Sequence, residues 1–367
     1  MKKKAIVIGA GIVGLAAARK LSLLGYEVQV FERTPKAVGA SIRNFGMIWP
    51  IGQPNGQLYE RALSSRAIWK EVMDMAGGWY EEAGSLHMAY REEELAVIEE
   101  FVAHRPGCSV QSAAEITSPA VVREGLLGAL WSKDEIIVDP GEAIAKIPEM
   151  LSSIHNIAFH WGEAVTSINY PSVTTAQDTY FVDQLFVCSG ADFELLYPEV
   201  YQSIPITKCK LQMMRIISQP GNWRIGQALC GGLTLVHYSA FKALSSYQAM
   251  YDYYLKNYPE YLDWGLNVMV SQNGSGELTI GDSHEYGLDL DPFDRHEVNE
   301  MILDYMKTFA QFKDWRIGAS WNGIYPKMTD GSTEFVHEPE QGVKIINGLG
   351  GAGMTLSFGL MEEVIVE

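Results

Sequence analysis

Cysteine is scarce in this sequence, and so are positive charges. The four cysteines among 367 residues show no CxxC spacing, which excludes a disulfide framework and indicates reduced thiols in the cytoplasm. Lys and Arg total 28 against 45 Asp and Glu, a formal net charge of −17, so no nucleic-acid partner is expected. The eight histidines form no recognised ligand pair, which predicts no metal site. No apolar run reaches the 18 or so residues of a membrane span.

The strongest signal lies in the first 35 residues, where a secretory leader is the competing interpretation. Residues 5–8 form an apolar run typical of a buried parallel strand, and residues 12–24 have helical periodicity. Gly9, Gly11 and Gly14 between and within them have the G-x-G-x-x-G spacing, which a leader does not need. In a βαβ unit, these glycines allow a tight turn, close approach of a pyrophosphate and helix-to-strand packing. We therefore expect a soluble, unprocessed chain that binds a dinucleotide.

Glu32 ends the second predicted strand, residues 27–32, where its carboxylate can accept hydrogen bonds from the ribose of an adenosine. NAD and FAD both use such a motif, so the rest of the chain must distinguish them. Residues 36–54 are rich in Gly, Ser, Asn and Pro and predict a loop through a site rather than another βα repeat. A second glycine cluster at 348–353 follows a strand at 343–346 and precedes a helix. Two such turns at opposite ends of the chain favour a long cofactor held from both sides.

The chain resembles the D-amino-acid-oxidase-like flavin amine oxidases, which include glycine oxidase and sarcosine oxidase. The matching segments occur in the family's order over nearly the whole chain: VIGAGIVGLAAARKLSLLGYEVQVFER at 7–33, GASIRNFGMI at 39–48, VDPGEAIAKI at 138–147, EAVTSI at 163–168, LFVCSGAD at 185–192, WNGIYPKMTDG at 321–331 and GLGGAGMTLSFG at 348–359. RNFGMI, HYSAF at 237–241 and GDSHEYG at 281–287 are similar to a branch associated with aminophosphonate breakdown.

The resemblance implies an α/β fold with a Rossmann-like FAD-binding domain and an inserted α+β substrate domain built on an antiparallel sheet. The FAD-binding domain would comprise residues 1–82, 139–204 and 316–367, and the substrate domain residues 83–138 and 205–315. Within the substrate domain, runs at 205–218, 232–239 and 268–281 predict strands, and 243–258 and 294–312 predict helices. FAD would be bound without a covalent link by Gly9, Gly11, Ile12, Val13, Gly14, Glu32, Arg33, Ala40, Ser41, Arg43, Asn44, Phe45, Gly46, Val165, Ser189, Gly190, Gly350, Gly351, Gly353, Met354 and Thr355.

The implied reaction is oxidation of the C–N bond of a small primary or secondary amine to an imine, with hydride transfer to flavin N5. Because the flavin carries the hydride step, no catalytic base is nominated. Glycine and D-amino-acid oxidases place a carboxylate-binding Arg in the loop resembling WNGIYP, where this chain has Tyr325, and the comparable Lys of sarcosine oxidase falls near Thr355. A phosphonate head group, as in 2-aminoethylphosphonate or its N-methyl derivative, is therefore a hypothesis. The candidate substrate residues are Trp49, His237, Tyr238, His284 and Tyr325, with Arg43 as a further donor.

Two alternatives stay open at this stage. One is an amino-acid dehydrogenase of the same fold that passes its electrons to an acceptor other than oxygen. The other is a flavin-binding electron-transfer subunit without its own substrate, which the missing carboxylate anchors would allow. Neither the acceptor nor the oligomeric state can be inferred from the residues.

Overall fold

A computed structural model describes residues 2–366. Its α-helices are α1 (Ile12–Leu23), α2 (Gln57–Ala76), α3 (Glu92–His104), α4 (Pro140–His155), α5 (Pro198–Gln202), α6 (Gly232–His237), α7 (Ser239–Lys242), α8 (Tyr247–Asn257), α9 (Pro259–Asp263), α10 (His296–Phe309) and α11 (Gly353–Val364). Its strands are β1 (Lys4–Ile8), β2 (Glu27–Glu32), β3 (Met47–Ile48), β4 (Tyr80–Glu81), β5 (Ser85–Ala89), β6 (Cys108–Ser112), β7 (Gly128–Ser132), β8 (Ile136–Val138), β9 (Ala158–Trp161), β10 (Val165–Asn169), β11 (Ser172–Thr175), β12 (Thr179–Phe181), β13 (Gln184–Val187), β14 (Ile206–Ile216), β15 (Ala228–Cys230), β16 (Met269–Gln272), β17 (Leu278–Gly281), β18 (Glu285–Gly287), β19 (Ile317–Met328), β20 (Phe335–Glu340) and β21 (Val343–Asn347).

The first sheet has six strands in the order β20-β21-β13-β1-β2-β9, parallel except for the β20–β21 pair. Both faces of β1 are buried. Ala5 and Val7 pack with residues of α1, α2, α4 and α11, whereas Ile6 and Ile8 pack with the small antiparallel sheet β10-β11-β12. This two-sided burial explains why residues 5–8 are continuously apolar. The predicted α/β class and the βαβ order of β1, α1 and β2 are confirmed.

The second sheet is mostly antiparallel and has nine strands. The long strand β14 pairs with β19 on one side and with β18 and β17 in succession on the other. From β17 the sheet continues through β16, β15, β5, β7 and β6, and only the β15–β5 pair is parallel. A fourth sheet, with three strands in the order β3-β8-β4, joins the segments that precede and follow β5 to β7.

The division of the chain into two domains stays a prediction, and the strand pairing bears on its limits. The predicted boundaries assign residues 316–328 to the FAD-binding domain, but β19 pairs with β14 over residues 206–216 in the nine-stranded sheet. The same boundaries assign β8 to the substrate domain, although it pairs with β3 and β4 in the small sheet. The sheets to which β19 and β8 belong are decided by pairing with distant strands, and composition does not reveal such pairing.

The prediction of a strand at 232–239 is wrong, because the chain forms α6 and α7 there. The segment Leu-Thr-Leu-Val favours a strand by intrinsic preference. Tertiary contacts override that preference: Leu233 N donates to Tyr305 Oη at 3.1 Å, and Thr234 Oγ1 donates to the Val268 carbonyl at 3.3 Å. His237 and Tyr238 therefore lie at the end of a short buried helix rather than at the end of a strand.

Candidate active site

One large cavity, with a volume of about 920 Å³, lies between the two larger sheets and reaches the N-termini of α1 and α11. Its volume is near the upper end of the range for small-molecule sites. Every predicted FAD-binding residue except Gly14 and Gly46 lines it, and so do all five predicted substrate residues. Residues from both ends of the sequence and from its middle therefore form a single site.

The first glycine turn forms one wall of the cavity. Gly9 has a φ of +100°, which favours glycine, and a Cβ there would collide with the Cys188 carbonyl. Ile12 N, in the first turn of α1, donates to Ser41 Oγ at 2.9 Å, so the loop after β2 is fastened to the helix start. The N-terminus of a helix favours anions because of its unpaired N–H groups and its dipole. This wall suits a pyrophosphate.

Gly14 and Gly46 do not line the cavity and have packing roles instead. A Cβ on Gly14 would come closer to the Gly9 carbonyl oxygen than real Cβ atoms approach any atom, and it would lie 3.3 Å from Val7 Cγ1. Gly46 has a φ of +72°, and its Cβ would collide with the Val138 carbonyl. Gly14 thus allows α1 to pack on β1, the role that its place in the motif predicts. The assignment of Gly46 as a cofactor contact is corrected in the same way.

Glu32 lies at the end of β2 and is half-buried at the cavity wall. Its Oε2 accepts a hydrogen bond from Ala10 N at 3.1 Å, and its Oε1 accepts from Thr34 N at 3.1 Å and from Thr34 Oγ1 at 2.6 Å. The carboxylate therefore links the glycine turn to the loop after β2. Its remaining lone pairs are available to ribose hydroxyls.

The opposite wall is the second glycine turn, between β21 and α11. Gly350 has a φ of +59°, and a Cβ on Gly351 would lie 3.5 Å from Tyr325 Oη, so this turn is adjacent to the predicted substrate residues. Thr355 Oγ1 accepts a hydrogen bond from Trp49 N at 2.9 Å, which ties the loop of residues 39–53 to α11. The predicted loop therefore does pass through the site.

The substrate residues are more buried than the sequence indicated. Tyr325 lies within β19, not in a loop, and only 6% of it is exposed. His284, which the polar turn GDSHEYG suggested to be a surface residue, is also 6% exposed. Its Nδ1 lies 2.8 Å from the Gly265 carbonyl, which fixes the proton on Nδ1 and leaves Nε2 as an acceptor. His284 lies in the short connection between β17 and β18, where its side chain is buried.

The His237 and His284 rings are in contact in the cavity wall, with centroids 4.4 Å apart and planes tilted by 33°. Burial lowers the pKa of His284 to about 4 and lowers that of His237 well below its ordinary value. Both imidazoles are therefore neutral near pH 7. They contribute hydrogen-bonding atoms rather than positive charge.

The polar and charged residues of the cavity wall that the sequence argument missed include Asn267, Asp282, Lys242 and Lys327. Asn267 Oδ1 and Asp282 Oδ1 are buried and have no hydrogen-bond partner within residues 2–366. Burial raises the pKa of the Asp282 carboxyl well above its ordinary value. Asp282 lies inside GDSHEYG and Lys327 is two residues after Tyr325, so both were within quoted segments, whereas no local signal marks Asn267 or Lys242.

The residues present fit FAD. Both ends of the cavity are helix N-termini preceded by glycine turns, a carboxylate lies at the end of β2, and a buried polar pocket lies against the second turn. A nicotinamide cofactor alone would not require the second turn. Burial raises the pKa of the Cys188 thiol, which also lines the cavity, to about 12, so it is a thiol and not a thiolate nucleophile. Fold and site together define a flavin-dependent oxidoreductase.

The chain belongs to the DAO family, described as FAD dependent oxidoreductases, and the family model matches residues 4–364. A D-amino acid dehydrogenase of Helicobacter pylori is 26% identical over 263 residues, which cover 53% of this chain and 62% of that protein. The chain therefore matches less than two thirds of the length of this curated relative. FAD as the cofactor is confirmed by the family.

Two crystal structures are similar over nearly the whole chain. Glycine oxidase from Geobacillus kaustophilus superposes with a TM-score of 0.74 at 19% identity and covers 99% of this chain and 94% of its own. L-proline dehydrogenase from P. horikoshii gives a TM-score of 0.76 at 19% identity, with 99% and 92% covered. At such identities these structures support the fold. Among residues 2–366, no helix is both long and apolar enough to cross a bilayer.

Proposed function

We propose that this protein oxidises the C–N bond of a small primary or secondary amine to an imine, and that the substrate is 2-aminoethylphosphonate or its N-methyl derivative. The observation that supports the proposal is that one cavity is lined both by the residues that fit FAD and by buried polar side chains. The pocket also favours an enzyme over an electron-transfer subunit without its own substrate. An electron carrier has no need of buried hydrogen-bonding groups beside its flavin.

FAD, when bound, supplies the acceptor for the hydride that leaves the carbon next to the amine. The protein positions the two partners. The N-terminus of α1 and the turn before α11 hold anionic groups by their N–H groups and dipoles. A Cβ on Gly351 would lie 3.5 Å from Tyr325 Oη, and this proximity supports a substrate pocket next to the second turn, where the cofactor would be bound.

The amine end of the substrate has candidate acceptors in Asn267 and Asp282. In the part of the chain that the structure describes, each has a buried oxygen without a partner, and a buried acceptor is costly unless a donor satisfies it. A neutral amine donates through its N–H bonds and keeps its lone pair for the developing imine. Burial raises the pKa of the Asp282 carboxyl, which disfavours a fixed negative charge that would hold the amine as ammonium.

The phosphonate part of the proposal rests on what is absent at position 325. A carboxylate in the resembled amino-acid oxidases is held by the planar fork of an arginine, which donates two parallel hydrogen bonds. Tyr325 offers one hydroxyl, and burial raises its pKa well above the ordinary value, so it remains a neutral donor. A tetrahedral head group with three oxygens fits scattered single donors better than one planar fork.

The acceptor of the electrons is a separate question, and the comparison with the Helicobacter pylori D-amino acid dehydrogenase favours a second candidate. In that candidate the same amine oxidation passes its electrons to an acceptor other than oxygen. Peroxide formation compared with reduction of an artificial dye under air distinguishes an oxidase from a dehydrogenase.

The test is an anaerobic spectral titration of the purified flavoprotein with glycine, sarcosine, D-alanine, 2-aminoethylphosphonate and N-methyl-2-aminoethylphosphonate. We expect the aminophosphonates, and not the amino acids, to bleach the oxidised-flavin band. Bleaching by glycine or D-alanine would overturn the phosphonate assignment but not amine oxidation. A yellow protein that none of these amines reduces would count against the substrate class as a whole.

A further inference from the structure

Five cationic side chains line the cavity, and they differ in how their charge is compensated. Arg33 is paired with Asp192, and Lys208 with Glu194 at 2.7 Å. Arg43 donates to the Asn322 carbonyl at 3.1 Å. The other two, which we call the lysine pair, are Lys242 and Lys327. Within residues 2–366, no carboxylate oxygen lies within 4.0 Å of either of their amino groups.

Lys327 lies in β19 two residues after Tyr325, and alternation along a strand places both side chains on the same face of the sheet. Its Nζ donates to Tyr286 Oη at 3.0 Å and lies 4.8 Å from the centre of that ring. Lys327 is also next to the second glycine turn, because it forms a bridge with Leu349. The ammonium group of Lys327, a residue that lies next to the second glycine turn, is therefore held by the hydroxyl of Tyr286.

Lys242 ends α7 and is exposed at the cavity rim. The pKa of Lys242 is lowered mainly by partial desolvation and to a smaller extent by repulsion from Lys327. Lys327 and Lys242 also both contribute to the lowered pKa of His237. The lysine pair thus faces a common space around His237 at positive potential. This is notable in a chain with a net charge of −17.

We propose that the lysine pair binds the anionic head group of the substrate, with Lys327 in direct contact and Lys242 closing the site from the rim. This proposal rests on the proposed function, because it names the residues that bind the anionic end of the proposed substrate. Two ammonium groups on separate elements act as point charges, and they suit a dianionic tetrahedral phosphonate better than a planar carboxylate. Uncompensated positive charge around a cavity is unfavourable unless an anion enters it.

The test measures binding instead of turnover. Ethylphosphonate carries the head group without an amine, so it can bind and perturb the flavin spectrum of the holoenzyme but cannot be oxidised at a C–N bond. We expect saturable binding to wild type and weaker binding of propionate. Lys327→Met should raise the Kd for ethylphosphonate about tenfold or more, the size of one charge-assisted hydrogen bond. Lys242→Met should raise it about threefold, because an exposed charge is screened.

Two further variants separate charge from packing. Lys327→Arg keeps the charge, so its Kd should stay within about threefold of wild type. Lys313 is exposed and does not line the cavity, so Lys313→Met controls for the loss of one surface charge. FAD content is measured for each variant, and Lys327→Gln replaces Lys327→Met if the latter does not retain flavin.

Unchanged ethylphosphonate binding in the neutral Lys327 variant that retains flavin would overturn the inference, and so would a wild type that does not bind the probe. Lysine-dependent binding of ethylphosphonate without flavin bleaching by any amine would support the anion site while refuting the proposed function. The two hypotheses can therefore fail independently.

Discussion

The tightest packing at the cofactor site is at Gly14, and Gly14→Ala tests whether that packing positions the FAD. The added methyl would lie within 3.0 Å of the Gly9 carbonyl oxygen and 3.3 Å from Val7 Cγ1. Neither obstacle can move alone. The first is backbone of the glycine turn, and the second belongs to the buried strand β1. The start of α1 must therefore shift away from the sheet.

The cost of that shift follows from what surrounds α1. Leu15 and Ala16 to Ala18 are fully buried against the other helices of the cofactor region. Overpacking of a well-packed core costs about 1–3 kcal/mol, and backbone obstruction places this case near 3 kcal/mol. The same displacement moves the N–H groups at the start of α1 away from the cavity. Because it weakens more than one contact with the pyrophosphate, we expect the Kd for FAD to rise about tenfold or more.

The assay compares wild type, Gly14→Ala and Gly287→Ala in thermal unfolding and in FAD titration of the apoprotein. Gly287 is the matched control, because a Cβ there meets only ordinary contacts, Leu290 Cδ2 at 3.6 Å and Asp289 at 3.7 Å. We expect Gly287→Ala to resemble wild type in both measurements. A Gly14→Ala protein that binds FAD within threefold of wild type and unfolds within 1 °C of it would refute this reasoning.

Two further predictions concern carboxylates. Glu32→Ala removes the acceptor shared by Ala10 and Thr34, so the Kd for FAD should rise about tenfold, whereas Glu27→Ala at the exposed start of β2 should leave it unchanged. Burial raises the pKa of Glu135 from 4.5 to about 7, so the folded state retains a proton that the unfolded chain releases, and stability falls as the pH rises through this window. In thermal unfolding at pH 5–9, Glu135→Gln should reduce the pH dependence of stability and raise the free energy of unfolding by up to about 3 kcal/mol at pH 8. A variant whose stability falls with pH as steeply as that of wild type would contradict this prediction.

The cofactor half of the site could be predicted because its signals are local. The strand, the glycine turn and the helix all lie within residues 4–23, and Gly9 and Gly14 each stand where a side chain would collide with neighbouring backbone. Glu32 follows at the end of the next strand. Assignments made by segment resemblance without such a demand were less secure. Gly46 was one of these, and it packs on Val138 instead of facing the cavity.

The substrate half could not be predicted to the same degree because it is assembled by long-range pairing. Tyr325 enters the site because β19 aligns it with Cys209 of β14, more than a hundred residues away. His237 lies at the end of a helix that its own residues do not favour, and tertiary hydrogen bonds hold that helix. The polar segment around His284 suggests an exposed residue, but its side chain is buried and its Nδ1 lies 2.8 Å from the carbonyl of Gly265, a residue that is distant in sequence.

The formal net charge of the chain does not describe the charge inside its binding site. The excess of carboxylates argues against binding of large polyanions, but it says nothing about a pocket whose walls come from separate segments. Lys208 and Lys327 lie on paired strands and line the same cavity. Glu194 neutralises Lys208, whereas among residues 2–366 the amino group of Lys327 has only the hydroxyl of Tyr286 as a hydrogen-bond partner. Partner assignment thus decides which lysine presents its charge to a ligand. The absence of an arginine at position 325 is therefore compatible with an anionic substrate, because our proposal assigns the anionic head group to the lysine pair instead.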